Sequence, residues 1–277
     1  MGSALFSLKN VSFSYLGKFP ALSNVDIDIQ AAQKISVIGA NGSGKSTLLQ
    51  MLDGLLLSDT GEVRFCGKQL DEKAFSDKKF VQEFRRKVGF VFQNPDVQLF
   101  CPTVKEDIVF GPLQLGFERE EVGKRLDKLV TVLDISALLN RSCYQLSIGE
   151  KRKVAIASTL IIDPEVLILD EPTAGLDPLT TRHIIDLLIE ENLRGKTVIT
   201  STHDLHIVEE ISDLVYVFNN QKTITRFGRT EEILNDLDLL KMNNLVHIHS
   251  HKHKDKVHVH PHLHLDHHPE GHFDEKE

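Results

Sequence analysis

Residues 39–46 read Gly-Ala-Asn-Gly-Ser-Gly-Lys-Ser. This is the spacing G-x-x-x-x-G-K-[ST], and no other stretch constrains the fold as tightly. Residues 34–39 (KISVIG) precede it as a short apolar run of the kind found in a buried strand. Residues 47–57 follow it, with Leu48, Leu49, Leu52 and Leu55 recurring at helical spacing. Strand, glycine-rich turn and helix therefore succeed one another without a gap. Glycines let the backbone curl so that several N–H groups face phosphate oxygens, and the following helix adds its positive end. Gly39, Ala40, Asn41, Gly42, Ser43, Gly44, Lys45, Ser46 and Thr47 are thus expected to hold the phosphates of a nucleotide. Lys45 can bridge β- and γ-phosphate oxygens, and the Ser46 hydroxyl can ligate Mg²⁺. Four fixed positions arise by chance in roughly one chain in a hundred of this length. The flanking strand and helix argue against such an accident here.

A phosphate loop does not by itself define a reaction. Residues 166–169 are all apolar and predict a central parallel strand, with Asp170 and Glu171 at its end. Asp170 is placed to complete the Mg²⁺ shell and Glu171 to polarise an attacking water. Beside a phosphate loop, that reading outweighs a solvated acidic turn. Further strand candidates lie at 11–15, 25–29, 62–65, 88–92, 196–201 and 214–218. They alternate with helical stretches such as 181–193, which predicts an α/β layer architecture. Residues 71–87 are polar and charged and read as a solvated helix or loop. Residues 104–162 read as mainly helical, broken near Gly111-Pro112 and Gly116, and would form a helical insert.

Composition narrows the class. Charged residues make up 26% and apolar ones 41%, values normal for a globular protein. The 277 residues suffice for one large domain or two small ones. No run of 18 apolar residues reads as a spanning helix, and the first ten residues do not read as a secretory signal. Cys66, Cys101 and Cys143 are odd in number and far apart, which fits a reducing cytosol rather than a disulfide framework. The net charge of -8 argues against a general nucleic-acid binder.

The histidines are the anomaly. Eleven of 14 lie between His247 and His272. His247, His249, His251 and His253 occupy alternate positions, as do His258, His260, His262 and His264; His267, His268 and His272 complete the set. Pro261 and Pro269 discourage helix, so residues 246–277 read as an extended or disordered tail. Neutral imidazole is the commonest ligand of Ni²⁺, Co²⁺ and Zn²⁺, which makes this row a candidate metal-binding segment. A generic polar tail is the plainer alternative.

With these residues in view, the chain resembles the ATP-binding cassette (ABC) ATPases. The resemblance rests on Leu146-Ser147-Ile148-Gly149-Glu150, on residues 169–178 (LDEPTAGLDP) and on Ser201-Thr202-His203-Asp204. With the phosphate loop, these stretches span nearly all of residues 5–230 in family order. The resemblance implies a P-loop NTPase core over residues 1–245, with an N-terminal β subdomain and a helical subdomain at about 95–162. It further implies that Tyr15 stacks on adenine, although an ordinary strand tyrosine would look the same. Gln93 would sense Mg²⁺ and the γ-phosphate, so Ser46, Gln93 and Asp170 form the implied Mg²⁺ set. His203 would bond the γ-phosphate, with Glu171 as base, and Asp177 would communicate across a dimer. Leu146, Ser147, Ile148, Gly149 and Glu150 would form a signature that meets the nucleotide of the opposite subunit. Ile148 departs from the family pattern, standing where a glycine is usual, and Glu150 stands where Gln is frequent.

Residues 93–112 (QNPDVQLFCPTVKEDIVFGP) further resemble ATPases of energy-coupling-factor uptake systems. The resemblance implies ATP and Mg²⁺ as ligands and a second ATPase subunit, identical or paralogous. It also implies a membrane coupling protein with a substrate-capture protein, no nucleic acid, and a place on the cytoplasmic face of the membrane. The histidine row directs the leading expectation to nickel or cobalt uptake. Three alternatives stand beside it: a vitamin transporter of the same assembly, a non-transport ABC ATPase, and a metal-responsive regulatory protein.

Overall fold

The computed structural model describes residues 4–253 and 256–262, from 247 onward as backbone. Two strands open the chain, β1 (Phe6–Tyr15) and β2 (Phe19–Ile29), paired as an antiparallel hairpin. β3 (Lys34–Gly39) leads into the phosphate loop and α1 (Lys45–Leu52). β4 (Thr60–Phe65) and β5 (Lys68–Gln69) complete a four-stranded sheet in the order β2-β1-β4-β5.

The segment 71–87 departs from the solvated reading. It forms α2 (Glu72–Ser76) and α3 (Lys78–Lys87), capped by Asp71 and Asp77, whose side chains accept from Ala74 N and Lys79 N. Phe80 and Phe84 are buried, and Phe84 packs edge-on against Phe65 at 5.2 Å and Phe75 at 5.6 Å. The charges face water while Phe80 and Phe84, four apart on α3, join the core and the partly buried Phe75 of α2 packs against them.

β6 (Val88–Val91) enters the second sheet. The helical insert follows as α4 (Val104–Gln114), α5 (Arg119–Val132) and α6 (Ile148–Leu160). The break expected near Gly111-Pro112 is absent. Pro112 sits in the last turn of α4, where it forfeits only the bond to the Ile108 carbonyl, and the helix ends at Leu115. Gly116 then turns the chain at φ 78°.

The remaining elements are β7 (Val166–Asp170), α7 (Pro178–Leu193), β8 (Thr197–Ser201), α8 (Leu205–Ile211), β9 (Leu214–Phe218), β10 (Ile224–Arg229), α9 (Thr230–Leu234) and α10 (Leu237–Met242). They build a six-stranded sheet in the order β10-β9-β3-β8-β7-β6, parallel except at the β10 edge. Because five strands run the same way, their carboxyl ends share one edge, where α/β sheets bind ligands. One core lies between the antiparallel sheet, α1 and the parallel sheet, and a second joins α4, α5 and α6 to β7 and α7. A third packs α8, α9 and α10 on β9 and closes over Leu245 and Val246.

Beyond Val246, β11 (His247–His253) and β12 (Lys256–His262) pair antiparallel. His264, His267, His268 and His272 lie outside the described residues.

Candidate active site

The phosphate loop closes on itself because two of its glycines cannot be replaced. A Cβ on Gly39 would lie 2.6 Å from Ser43 Oγ and 2.8 Å from the Phe218 carbonyl. One on Gly44, at φ 110°, would lie 2.3 Å from the Ala21 carbonyl. Lys45 is buried, and its Nζ donates to Gly39 O at 2.8 Å and Ala40 O at 3.3 Å. Burial lowers its pKa, with the charges of Glu171 and Asp170 pulling the other way. Ser43 Oγ is buried and has no protein partner.

The parallel sheet delivers the acids to this loop. Asp170 ends β7 opposite Ser201 of β8, and Ser201 Oγ donates to Asp170 Oδ1. Glu171 N donates to Ser201 O at 3.0 Å and to its Oγ at 3.2 Å. These bonds hold Glu171 at φ 48°, an uncommon conformation for a residue with a side chain. His203 Nδ1 stands 2.9 Å and 3.0 Å from the two Glu171 carboxylate oxygens. The hydrogen bond to Glu171 raises the His203 pKa, against a smaller effect of burial. Gln93 follows β6 and comes to the same edge.

A cavity of about 460 Å³ lies between these groups. Tyr15, Asn41, Gly42, Gly44, Lys45, Ser46, Thr47, Gln93, Asp170 and Glu171 line it, so most of the expected nucleotide-binding set converges. Tyr15 OH lies 3.1 Å from Thr47 Oγ1. Gly39, Ala40 and Ser43 form the loop behind the wall, and His203 reaches the site through Glu171. Ser46 hydroxyl, Gln93 amide and Asp170 carboxylate are hard oxygen donors, the chemistry that suits Mg²⁺. Among the described residues, no group of three His, Cys, Asp or Glu is arranged to hold a metal ion.

The signature residues lie elsewhere. Ser147 caps α6 in a reciprocal box: Glu150 N donates to Ser147 Oγ at 3.3 Å, and Ser147 N to Glu150 Oε2 at 2.7 Å. The bond from Ser147 holds the Glu150 pKa below its ordinary value. Leu146 is buried beneath this turn. Asp177 caps α7, accepting from Thr180 N at 3.0 Å and Thr180 Oγ1 at 2.7 Å. Ser147, Ile148, Gly149, Glu150 and Asp177 line a second cavity of about 550 Å³, with Arg141 and Lys153 at its wall. Ile148 is exposed and lines this space. No lining residue is common to the two cavities.

Several participants were missed in the sequence. Phe19 pairs with Tyr15 across the β1–β2 hairpin and lines the nucleotide cavity as a second aromatic. Lys222, from the β9–β10 turn, donates to the Gly42 carbonyl. Arg152 of α6 is buried and donates through Nη1 to Phe92 O at 2.7 Å and through Nη2 to Gln93 O at 2.6 Å. Only the arginine of Glu150-Lys151-Arg152, one turn into a helix, hinted at this anchor. The other two depend on strand pairing and have no local signal.

Residues 22–174 match the ABC transporter family. The nickel import ATP-binding protein NikO of Rhodobacter capsulatus is 44% identical over 244 residues, covering 87% of this chain and 95% of that protein. The energy-coupling factor transporter ATP-binding protein EcfA of Methanothermobacter thermautotrophicus is 41% identical over 241 residues, covering 87% and 76%. Among solved structures, cbiO1 of Clostridium perfringens, part of the ABC transporter complex cbiONQ, aligns with a TM-score of 0.73 at 34% identity. That alignment covers 88% of this chain and 95% of cbiO1. The dimeric ATP-binding cassette MJ0796 bound to ADP and Pi aligns with a TM-score of 0.73 at 29% identity, over 81% of this chain and 98% of that one.

Proposed function

The chain belongs to the ABC transporter family and is an ATP-hydrolysing cassette; from that premise we propose that two such subunits clamp ATP at their shared seam and power uptake of nickel or cobalt through a separate membrane complex. One observation carries the clamp: the phosphate loop with its acids and the signature line two cavities with no residue in common. A single chain therefore offers two halves of a site rather than one enclosure. A head-to-tail pair sets each signature over the partner's phosphate loop. The dimeric form of the similar cassette MJ0796 supports this arrangement.

In the assembled site, the loop amides and Lys45 bind the β- and γ-phosphates, and Tyr15 stands where a base can stack. Ser46, Gln93 and Asp170 would hold Mg²⁺, which would supply positive charge to offset that of the phosphates. Glu171 takes the proton of the attacking water, held in place by His203, which also donates toward the γ-phosphate.

The metal cargo is supported by the likeness to NikO and by the histidine-rich tail, which meets the same metal as a buffer or sensor. An exposed apolar patch supports docking on membrane partners. Val97 and Phe100 project from the loop after Gln93, and Phe100 packs edge-on against the half-exposed Phe110 at 5.0 Å. Among the described residues no helix is long and apolar enough to cross a membrane, in keeping with a peripheral subunit.

The test is Glu171→Gln in the full chain. ATP binding is retained, hydrolysis falls on the order of 100-fold or more, and the protein accumulates as an ATP-bound dimer. Hydrolysis at the parental rate would remove Glu171 as the base. Equal nickel and cobalt accumulation in cells carrying parent or variant, with the membrane partners present, would remove the transport assignment.

A further inference from the structure

The phosphate loop is braced from outside by strands that come from distant parts of the chain. On one side lies β2, whose Ala21 carbonyl and Leu22 leave no room for a Cβ on Gly44. On the other lies β9, whose Phe218 carbonyl crowds Gly39. Both contacts are steric and act near the ends of the loop. Gly42, between them, is exposed, stands at φ 76° and has open space where a Cβ would lie. Glycine enters that left-handed region as readily as the ordinary one, so packing does not fix the peptide that follows it.

Lys222 supplies a directional contact at this point. Its Nζ donates to the Gly42 carbonyl from the turn between β9 and β10. That turn is firmly bonded. Asn219 N donates to Thr223 O at 3.1 Å, Thr223 N to Asn219 Oδ1 at 3.1 Å, and Asn219 Nδ2 to Thr223 Oγ1 at 2.8 Å. Lys222 itself stands at φ 67°, uncommon for a residue with a side chain, and its carbonyl accepts from Ser23 N of β2 at 2.9 Å. Such a conformation persists only where the surroundings over-determine it.

We infer that Lys222 is a positioning residue for nucleotide binding: by holding the Gly42 carbonyl it fixes the Gly42–Ser43 peptide with its N–H turned into the loop. The carbonyl and N–H of a trans peptide point in opposite directions. With the carbonyl drawn outward to Lys222, Ser43 N donates to Ala40 O at 3.1 Å, the same acceptor that Lys45 Nζ reaches at 3.3 Å. The Ser43 amide and the Lys45 ammonium thus converge on one point inside the loop. On the reading that this loop holds the phosphates of ATP, both donors serve the anion, and a reversed peptide would offer it a carbonyl oxygen instead. Lys222 lies far outside the phosphate-loop motif, yet the grip of the motif depends on it.

Two substitutions in the full chain test this role. Lys222→Met keeps the stem and removes the donor, whereas Lys222→Arg keeps a charged donor. In Lys222→Met, ATP affinity measured by calorimetry is expected to fall about three- to tenfold, the worth of one hydrogen bond. Lys222→Arg is expected to recover most of it. KM for MgATP rises by a similar factor, while the rate at saturating MgATP changes far less, because the bond serves ground state and transition state alike. The nucleotide-free protein gives an independent readout. The Ser43 amide nitrogen shares its peptide unit with the held carbonyl, so its NMR signal shifts in Lys222→Met. Parental affinity in Lys222→Met, or an unmoved Ser43 signal, overturns the inference while leaving the loop as the ATP site. A loss that Lys222→Arg does not restore, with a lowered unfolding temperature in both variants, overturns it in favour of a purely structural lysine. Absence of ATP binding by the parent overturns the reading of the loop itself.

Discussion

Glu171 concentrates the chemistry of this protein in one strained residue. Its left-handed backbone is held by two bonds from its amide to Ser201, and the turn aims a buried carboxylate at His203. The ion-pair partner is unequally exposed: Glu171 is buried, while the His203 side chain is 55% exposed. The carboxylate favours the charged imidazole, which raises the His203 pKa. A raised folded value means that this bond's contribution to stability is complete below the unfolded pKa of about 6.5 and is lost as pH rises through the folded value. Exposure makes that contribution small. The shift is nonetheless measurable. In Glu171→Gln the imidazole is expected to titrate closer to its ordinary value, read by NMR of the His203 ring. An unchanged titration would show that Glu171 does not set the His203 charge.

At the scale of elements, α6 joins the two cavities. Its first turn carries Ser147, Ile148, Gly149 and Glu150, and its second carries Arg152, whose guanidinium grips the carbonyls of Phe92 and Gln93. Gln98 adds a second tie: its Oε1 accepts from Phe92 N at 3.2 Å, and its Nε2 donates to Ala155 O of α6 at 2.8 Å. These bonds tie the signature helix to the loop that bears both Gln93 and the apolar patch around Phe100. Burial lowers the Arg152 pKa, yet a guanidinium stays charged in proteins. Arg152→Met keeps much of the bulk and leaves two carbonyls without their donors. The expected loss is on the order of 2–4 kcal/mol of stability in urea unfolding. A loss below about 0.5 kcal/mol, the range of ordinary surface substitutions, would show that the grip is dispensable.

On the proposed pairing the whole molecule is half of a machine, and the half can be tested by complementation. Lys45→Ala is expected to disable the phosphate loop, and Gly149→Asp to put a like charge where, on the proposed pairing, the partner's γ-phosphate arrives. Each variant alone is expected to be inactive. Mixed, they form pairs in which one of the two seams has an intact loop and an intact signature, as two-fold symmetry requires. MgATP hydrolysis by the mixture, absent from either variant alone, is the expected result. Silence at every mixing ratio would argue that each chain completes its own site.

Much of this was readable along the chain because local physics left little choice. The phosphate loop needs glycines where a Cβ would strike Ser43 Oγ and the Ala21 carbonyl, and the all-apolar run before Asp170 reads as a buried strand and forms one. Segment 71–87 misled because its many charges masked the apolar pair Phe80 and Phe84 on α3, and Pro112 misled because a proline in the last turn of a helix costs little. The order of residues alone determined the α/β class, the identity of the phosphate loop and the two acids beside it. Tertiary structure alone decided that Phe19, Lys222 and Arg152 join the site, that the signature lines a cavity separate from that of the phosphate loop, and that the backbone of the tail pairs as two strands. Those facts depend on sheet order and register, which pair residues far apart in the chain and leave no mark in any short stretch of it.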